Sequence, residues 1–231
     1  DSMDTLLWYL DITLDYIKQM LPCMAIGAIL FLSLLPIRQK RLYRCGLQSG
    51  LLREMGLFVF ILFCAGLAAL TVFPAYFWTL GHWQAAFQGQ EVFFPLTPLS
   101  QSVQYIGWIP TLFSGMTLGE WGAYMMLANT LIFLPVGFFP NLLWRRPRWW
   151  KGLVVGFCTS FAIEFLQLFV NRATDVDDLI LNTLGAFLGG LIALLLGKLA
   201  PNCTRKFQVE VRHGRKTVDS NPAPGAGAGQ L

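Results

Sequence analysis

The sequence predicts an all-α, polytopic membrane bundle of five transmembrane helices, and three observations carry that prediction. Only 13% of the 231 residues are charged against 55% hydrophobic, where a soluble domain would be roughly one quarter charged. Five apolar windows reach the length of about 20 residues that crosses about 30 Å of hydrocarbon. No window shows the dyad alternation of a barrel strand, so helices are left as the structure that satisfies every backbone group in lipid.

Within residues 1–18, Leu6, Leu7, Leu10, Leu14 and Ile17 recur at helical spacing, which predicts an amphipathic segment at the outer interface. The acidic start lacks the basic region of a cleavable signal. The spans are expected at 19–37, 55–81, 121–144, 152–170 and 179–197, and together they make a membrane domain over 19–197. An external segment, 82–120, carries Phe93, Phe94, Tyr105, Trp108 and Phe113 between Pro95, Pro98 and Pro110. Such a composition suits an interfacial loop or a cap over the bundle. In the third span Pro135, near Gly137, is expected to bend or break the helix. The tail, 198–231, is basic and ends in Pro, Gly and Ala, a composition that predicts disorder.

Charge sets the orientation. Fifteen of the 17 Lys and Arg residues come after the first, third or fifth span, and only Lys18 and Arg172 lie elsewhere. Under the positive-inside rule those three segments are cytoplasmic, the N-terminus is outside and the C-terminus is inside. The net charge of +4 is therefore a topological bias and not a nucleic-acid footprint. The five cysteines lie in spans or on the reducing side, so no external disulfide is expected. Two histidines, His82 and His213, fall on opposite sides, which argues against a histidine metal site.

Polar residues inside apolar windows are costly and have a purpose. At about 100° per residue, Ser160, Glu164, Gln167 and Asn171 share one stripe of the fourth helix, and Asp175, Asp178, Asn182, Gly185 and Gly189 share one stripe of the fifth. Facing each other in the outer half of the bilayer, with Asn129 of the third span, they predict an outward-facing polar pocket rimmed by Arg172, Asp175 and Asp178. Each residue also has a structural reading. Thr174 and Asp177 resemble a capping box, Asp175 and Asp178 suit a helix N-terminus, and the two glycines suit close helix packing. Arg172 either neutralises a neighbouring carboxylate or holds an anionic group bidentately.

The run Asn129-x-x-x-Phe133-x-Pro135-x-Gly137, then Glu164-x-x-Gln167, then Arg172-x-x-Asp175-x-x-Asp178-x-x-x-Asn182-x-x-Gly185-x-x-x-Gly189 resembles the signature of the VanZ-like family, with its core over 121–197. The resemblance implies a multi-pass protein of the bacterial cytoplasmic (inner) membrane. It also implies a role in low-level resistance to the glycopeptide teicoplanin, which acts on cell-wall precursors at the outer face. It implies no established chemistry.

Three mechanisms share these residues. A membrane enzyme would use Glu164, Asp175 and Asp178 as catalytic acid, base or ligands. Asn129, Gln167, Arg172 and Asn182 would hold an envelope lipid or a lipid-linked cell-wall precursor. Such oxygen ligands suit Mg²⁺ or Ca²⁺ better than zinc. Alternatively the pocket binds or carries a membrane lipid or a glycopeptide-related ligand unchanged, or the polar residues only lock the helices of a protein that contacts envelope partners.

Overall fold

The computed structural model describes residues 2–108, 120–170 and 175–211. Five helices in it are long and apolar enough to cross a membrane. The first, α1, runs Ser2–Arg44, 43 residues, or about 65 Å at helical rise. The segment expected to lie apart at the interface is continuous with the first span. No Gly or Pro precedes Pro22 in the chain, and Pro22 and Pro36 both fall inside the helix.

Helix α2, Leu51–Thr71, returns antiparallel to α1. Gln19 Nε2 donates to the Ala69 carbonyl at 3.1 Å near one end, and Arg38 pairs with Glu54 near the other. It stops ten residues short of the expected 81, because Pro74 disfavours helical backbone at Phe73, although the chain stays apolar. Beyond Pro74 the chain folds into an aromatic knot. Phe77 is buried against the rings of Phe73, Trp78, Trp83 and Phe94, with centroids 4.9–5.7 Å apart. Helix α3, Leu80–Phe87, starts at Thr79, whose hydroxyl accepts from the His82 amide. Within the knot, His82 bonds the Glu91 carboxylate at 2.8 Å and the Phe93 carbonyl at 3.2 Å. A short helix α4, Leu99–Ser102, and a 3₁₀ turn, Val103–Tyr105, complete the described part of this segment.

The remaining long helices are α5, Glu120–Leu143, α6, Trp149–Gln167, and α7, Val176–Leu199. Parallel α5 and α7 make the most extensive contact among the described helices, and α6 packs antiparallel against α7. Their contacts are backbone to backbone. A Cβ at Gly185 would run into the Thr130 carbonyl, one at Gly189 into the Leu134 carbonyl, and one at Gly137 into the Ala186 carbonyl. On the neighbouring face of α7, Gly190 meets Gly152 of α6, its absent Cβ lying 3.2 Å from the Gly152 Cα. Close approach of this kind gives lipid-embedded helices their packing and Cα–H···O contacts, about 0.5–1 kcal/mol each. Helix α5, expected to bend or break at Pro135, is not broken there. The helix runs through Pro135 and Pro140 without interruption, and its carbonyls at Thr130 and Leu134 are seated on glycines just before the proline.

The tail is ordered where it is described. Pro201 opens α8, Pro201–Arg205, Phe207 packs where Gly56 leaves room, and β2, Glu210–Val211, pairs antiparallel with β1, Leu47–Gln48. The disorder expected from residue 198 is therefore corrected over this stretch, which the apolar contact of Phe207 holds against α2. Residues 212–231 lie outside the described residues.

The glycine seam is testable by melting the protein in detergent. Gly189→Ala must push α7 away from the Leu134 carbonyl and should lose about 1–3 kcal/mol. Gly197→Ala, with nothing within 4 Å of the new methyl, should be neutral or gain up to about 1 kcal/mol.

Candidate functional site

The buried positions of α6 are Gly152, Gly156, Ser160, Ile163 and Glu164, one face of a helix, and the first two are small so that α7 can approach. The polar end of that face meets the polar end of α7. Asn182 Nδ2 donates to Ser160 Oγ at 3.0 Å, and both residues are buried. One turn nearer the α7 N-terminus, Asn129 of α5 donates through Nδ2 to Asp178 Oδ1. Of the two expected stripes, Ser160 and Asn182 meet directly, while Asp178, Gly185 and Gly189 of α7 turn to α5.

Asp175 has a structural duty as well. It is the N-cap of α7, and its Oδ1 accepts from the Asp177 amide at 3.1 Å. The capping box expected at Thr174 and Asp177 is thus replaced by a cap one residue later, and Thr174 lies outside the described residues. The Asp175 backbone amide in turn hydrogen-bonds the buried Glu164 carboxyl. Glu164, Asp175 and Asp178 are close enough for their charges to act on one another. Asp177, also buried, completes an acidic first turn of α7.

Gln167 reaches away from this cluster and donates to the Thr71 carbonyl at 3.0 Å, tying α6 to the end of α2. It lines, with Asn129 and Asn182, a cavity of about 260 Å³ whose other walls include Tyr16 of α1, Thr71 and Leu67 of α2, and Tyr124 and Phe133 of α5. Arg172 and Asn171 lie outside the described residues. Asn129 offers Asp178 its amide nitrogen, a hydrogen-bond donor and not a cation ligand. Among the described residues no three of His, Cys, Asp or Glu are placed to hold a metal ion.

Several participants carry no sequence signal of their own. The Val176 amide donates to the Gly107 carbonyl at 3.2 Å and the Thr97 amide to the Phe169 carbonyl at 2.9 Å. The aromatic segment after α2 is thereby fastened to both sides of the connection between α6 and α7. A Cβ at Gly107 would sit 3.2 Å from Asp175 Oδ1, so this loop touches the carboxylate directly. In the sequence, Tyr16 and Tyr124 are legible only as members of apolar stretches. At the opposite end of the bundle, Asn141 is buried, donates to the Gly137 carbonyl at 3.2 Å and accepts from the Arg148 amide at 3.2 Å. It is a staple for the turn into α6, which a search for clustered polar residues passes over.

The VanZ/LLP1 family model matches residues 58–197, more than half of the chain, and the protein belongs to that family. The matched region runs from within α2 into the last turn of α7 and takes in the aromatic segment between α2 and α5, which the sequence motifs alone do not reach. No curated protein and no solved structure matches the chain.

The two cross-helix bonds should register as pairwise couplings. In double-mutant cycles read by thermal melting, Ser160→Ala with Asn182→Ala should couple by about 0.6 kcal/mol, and Asn129→Ala with Asp178→Ala by up to about 1.7 kcal/mol. Asn129→Ala with Asn141→Ala, about 18 Å apart along α5 at helical rise and sharing no bond, should be additive.

Proposed function

We propose that this VanZ/LLP1-family membrane protein takes the polar head of an envelope lipid, or of a lipid-linked cell-wall precursor, into the pocket of α5, α6 and α7 from the outer leaflet. The proposal extends to low-level resistance to teicoplanin as the consequence. The observation that supports it best is the cavity lined by Asn129, Gln167 and Asn182, with Asp178 bonded to Asn129 behind that wall and Glu164 and Asp175 close enough to act on Asp178. At about 260 Å³ it falls just under the ~300–1,000 Å³ of sites that enclose drug-sized ligands. That is room for part of a head group, with the rest of an amphipathic molecule left in lipid.

The site lies at the end of the bundle opposite the basic segments, because Gln167, Thr71 and the start of α7 share that end. The positive-inside rule then favours an exposure to the outside. Amides and phenols suit a ligand rich in hydroxyl or amide groups. In the enzymatic form of this reading Glu164 exchanges a proton with the bound head group, while Asp178, held by Asn129, and Asp175, held by the cap, keep a negative field beside it. The same pocket binds without chemistry if no proton needs to move.

Mass spectrometry of total envelope lipids tests the proposal in cells making matched amounts of wild type, Glu164→Gln or Asp178→Asn, together with teicoplanin susceptibility. An enzyme predicts a lipid or precursor species that changes only with the wild type, and resistance lost with either variant. Unchanged lipids with resistance still lost would leave a binding protein. Full resistance in both variants would remove the site from the function. Asp175→Asn separates the two duties of that residue. Asn caps a helix as well as Asp does, so stability should hold within a few tenths of a kcal/mol, and any loss of resistance then reports on the charge.

A further inference from the structure

A large groove lies at the other end of the molecule. Its volume is about 820 Å³, and its walls are Trp144, Arg145, Arg146, Trp150 and Lys151, with Val154 and Val155 of α6 below them. Its charge is uncompensated, since no Asp or Glu pairs with Arg145, Arg146 or Lys151 among the described residues. Its shape is held in place. Lys151 Nζ lies 4.8 Å over the Trp144 ring and donates to the Arg146 carbonyl at 2.6 Å, while Asn141 fixes the turn that carries the arginines. Both tryptophans are about 40% exposed, as is usual for rings at the boundary between head groups and acyl chains. Helix α6 begins here without a side-chain cap, so the positive end of its dipole adds to the field.

We propose that this groove binds an acidic phospholipid of the cytoplasmic leaflet. The phosphodiester sits among Arg145, Arg146 and Lys151, and an acyl chain lies along Val154 and Val155. A soluble phosphate would use the cations and gain nothing from the apolar floor. A zwitterionic lipid would use the floor and bring its own cation against three others. Only an anionic lipid satisfies both parts, and basic pockets between helices on this side of a membrane take such head groups. Trp150 also forms the wall of a second groove of about 570 Å³, which contains Arg148 and Lys198. A lipid with two phosphates therefore has a place for each on either side of one ring.

The purified protein in neutral detergent provides the test, with its melting temperature followed during titration by phosphatidylglycerol, cardiolipin, phosphatidylcholine or inorganic phosphate. The anionic lipids should raise the midpoint, and phosphatidylcholine and phosphate should not. Arg145→Ala/Arg146→Ala/Lys151→Ala should weaken the lipid response on the order of a hundredfold, since each such charge near an anionic head group contributes about a factor of five. Lys40→Ala/Arg41→Ala/Arg44→Ala, which removes three charges from the end of α1, should leave the response intact. An equal response in both triple variants would reduce the effect to general charge and overturn the proposal. A shift produced by phosphate alone would do so too. Melting of the lipid-free variants at the wild-type temperature shows that lost binding is not lost folding. Should Arg145→Ala/Arg146→Ala/Lys151→Ala melt lower, native mass spectrometry of retained lipid on Arg145→Gln/Arg146→Gln decides, with unchanged retention counting against the groove.

Discussion

The structure depends on a close approach between backbones along one seam. Helix α7 presents Gly185 and Gly189 to the carbonyls of Thr130 and Leu134 on α5, and Gly190 to Gly152 on α6. In lipid there is no hydrophobic gain from pressing two apolar helices together, so short distances and complementary surfaces have to hold them. The absence of side chains at these glycines, and at Gly137 against the Ala186 carbonyl, lets the helices meet. Each polar residue a turn or two above it is then within reach of its counterpart on the neighbouring helix.

The polar site is a consequence of that spacing. Asn182 lies one turn before Gly185 and meets Ser160, and Asp178 lies one turn further and meets Asn129. The Asn129–Asp178 bond crosses the contact of α5 with α7 and the Ser160–Asn182 bond crosses that of α6 with α7, so each rests on a close approach that glycines permit. The same geometry accounts for the division of labour along α7. Small residues occupy its middle, where backbones touch, and carboxylates occupy its first turn, where the helix dipole favours them.

Much of this is legible in the residues alone. The stripes of α6 and α7 come from helical periodicity, and a glycine pair four residues apart already suggests packing. Other features are not legible, and the reasons are physical. The end of α2 at Thr71 is overrun because hydropathy continues through Phe73, Phe77 and Trp78, which bury in a knot and not in a span. Pro135 signals a bend or a break when read alone, and the helix continues through it. The fastening of Thr97 to Phe169 and of Gly107 to Val176 uses main-chain groups that every residue possesses, so no pattern of side chains announces it. Glu54, buried with Arg38 and Arg53, needs the pairing of α1 with α2 before it has a neighbour across the helices.

The contact of Gly107 with Asp175 bears on how such a protein can diverge. The bundle is intolerant of change because its seam has no spare volume, whereas the aromatic segment meets the α6–α7 connection through peptide groups and one glycine. Substitutions between residues 95 and 107 can therefore shift the position of the Asp175 carboxylate without touching any of the five long helices. The setting of that carboxylate and the fold are carried by separate stretches of chain, and the first can drift while the second stays fixed.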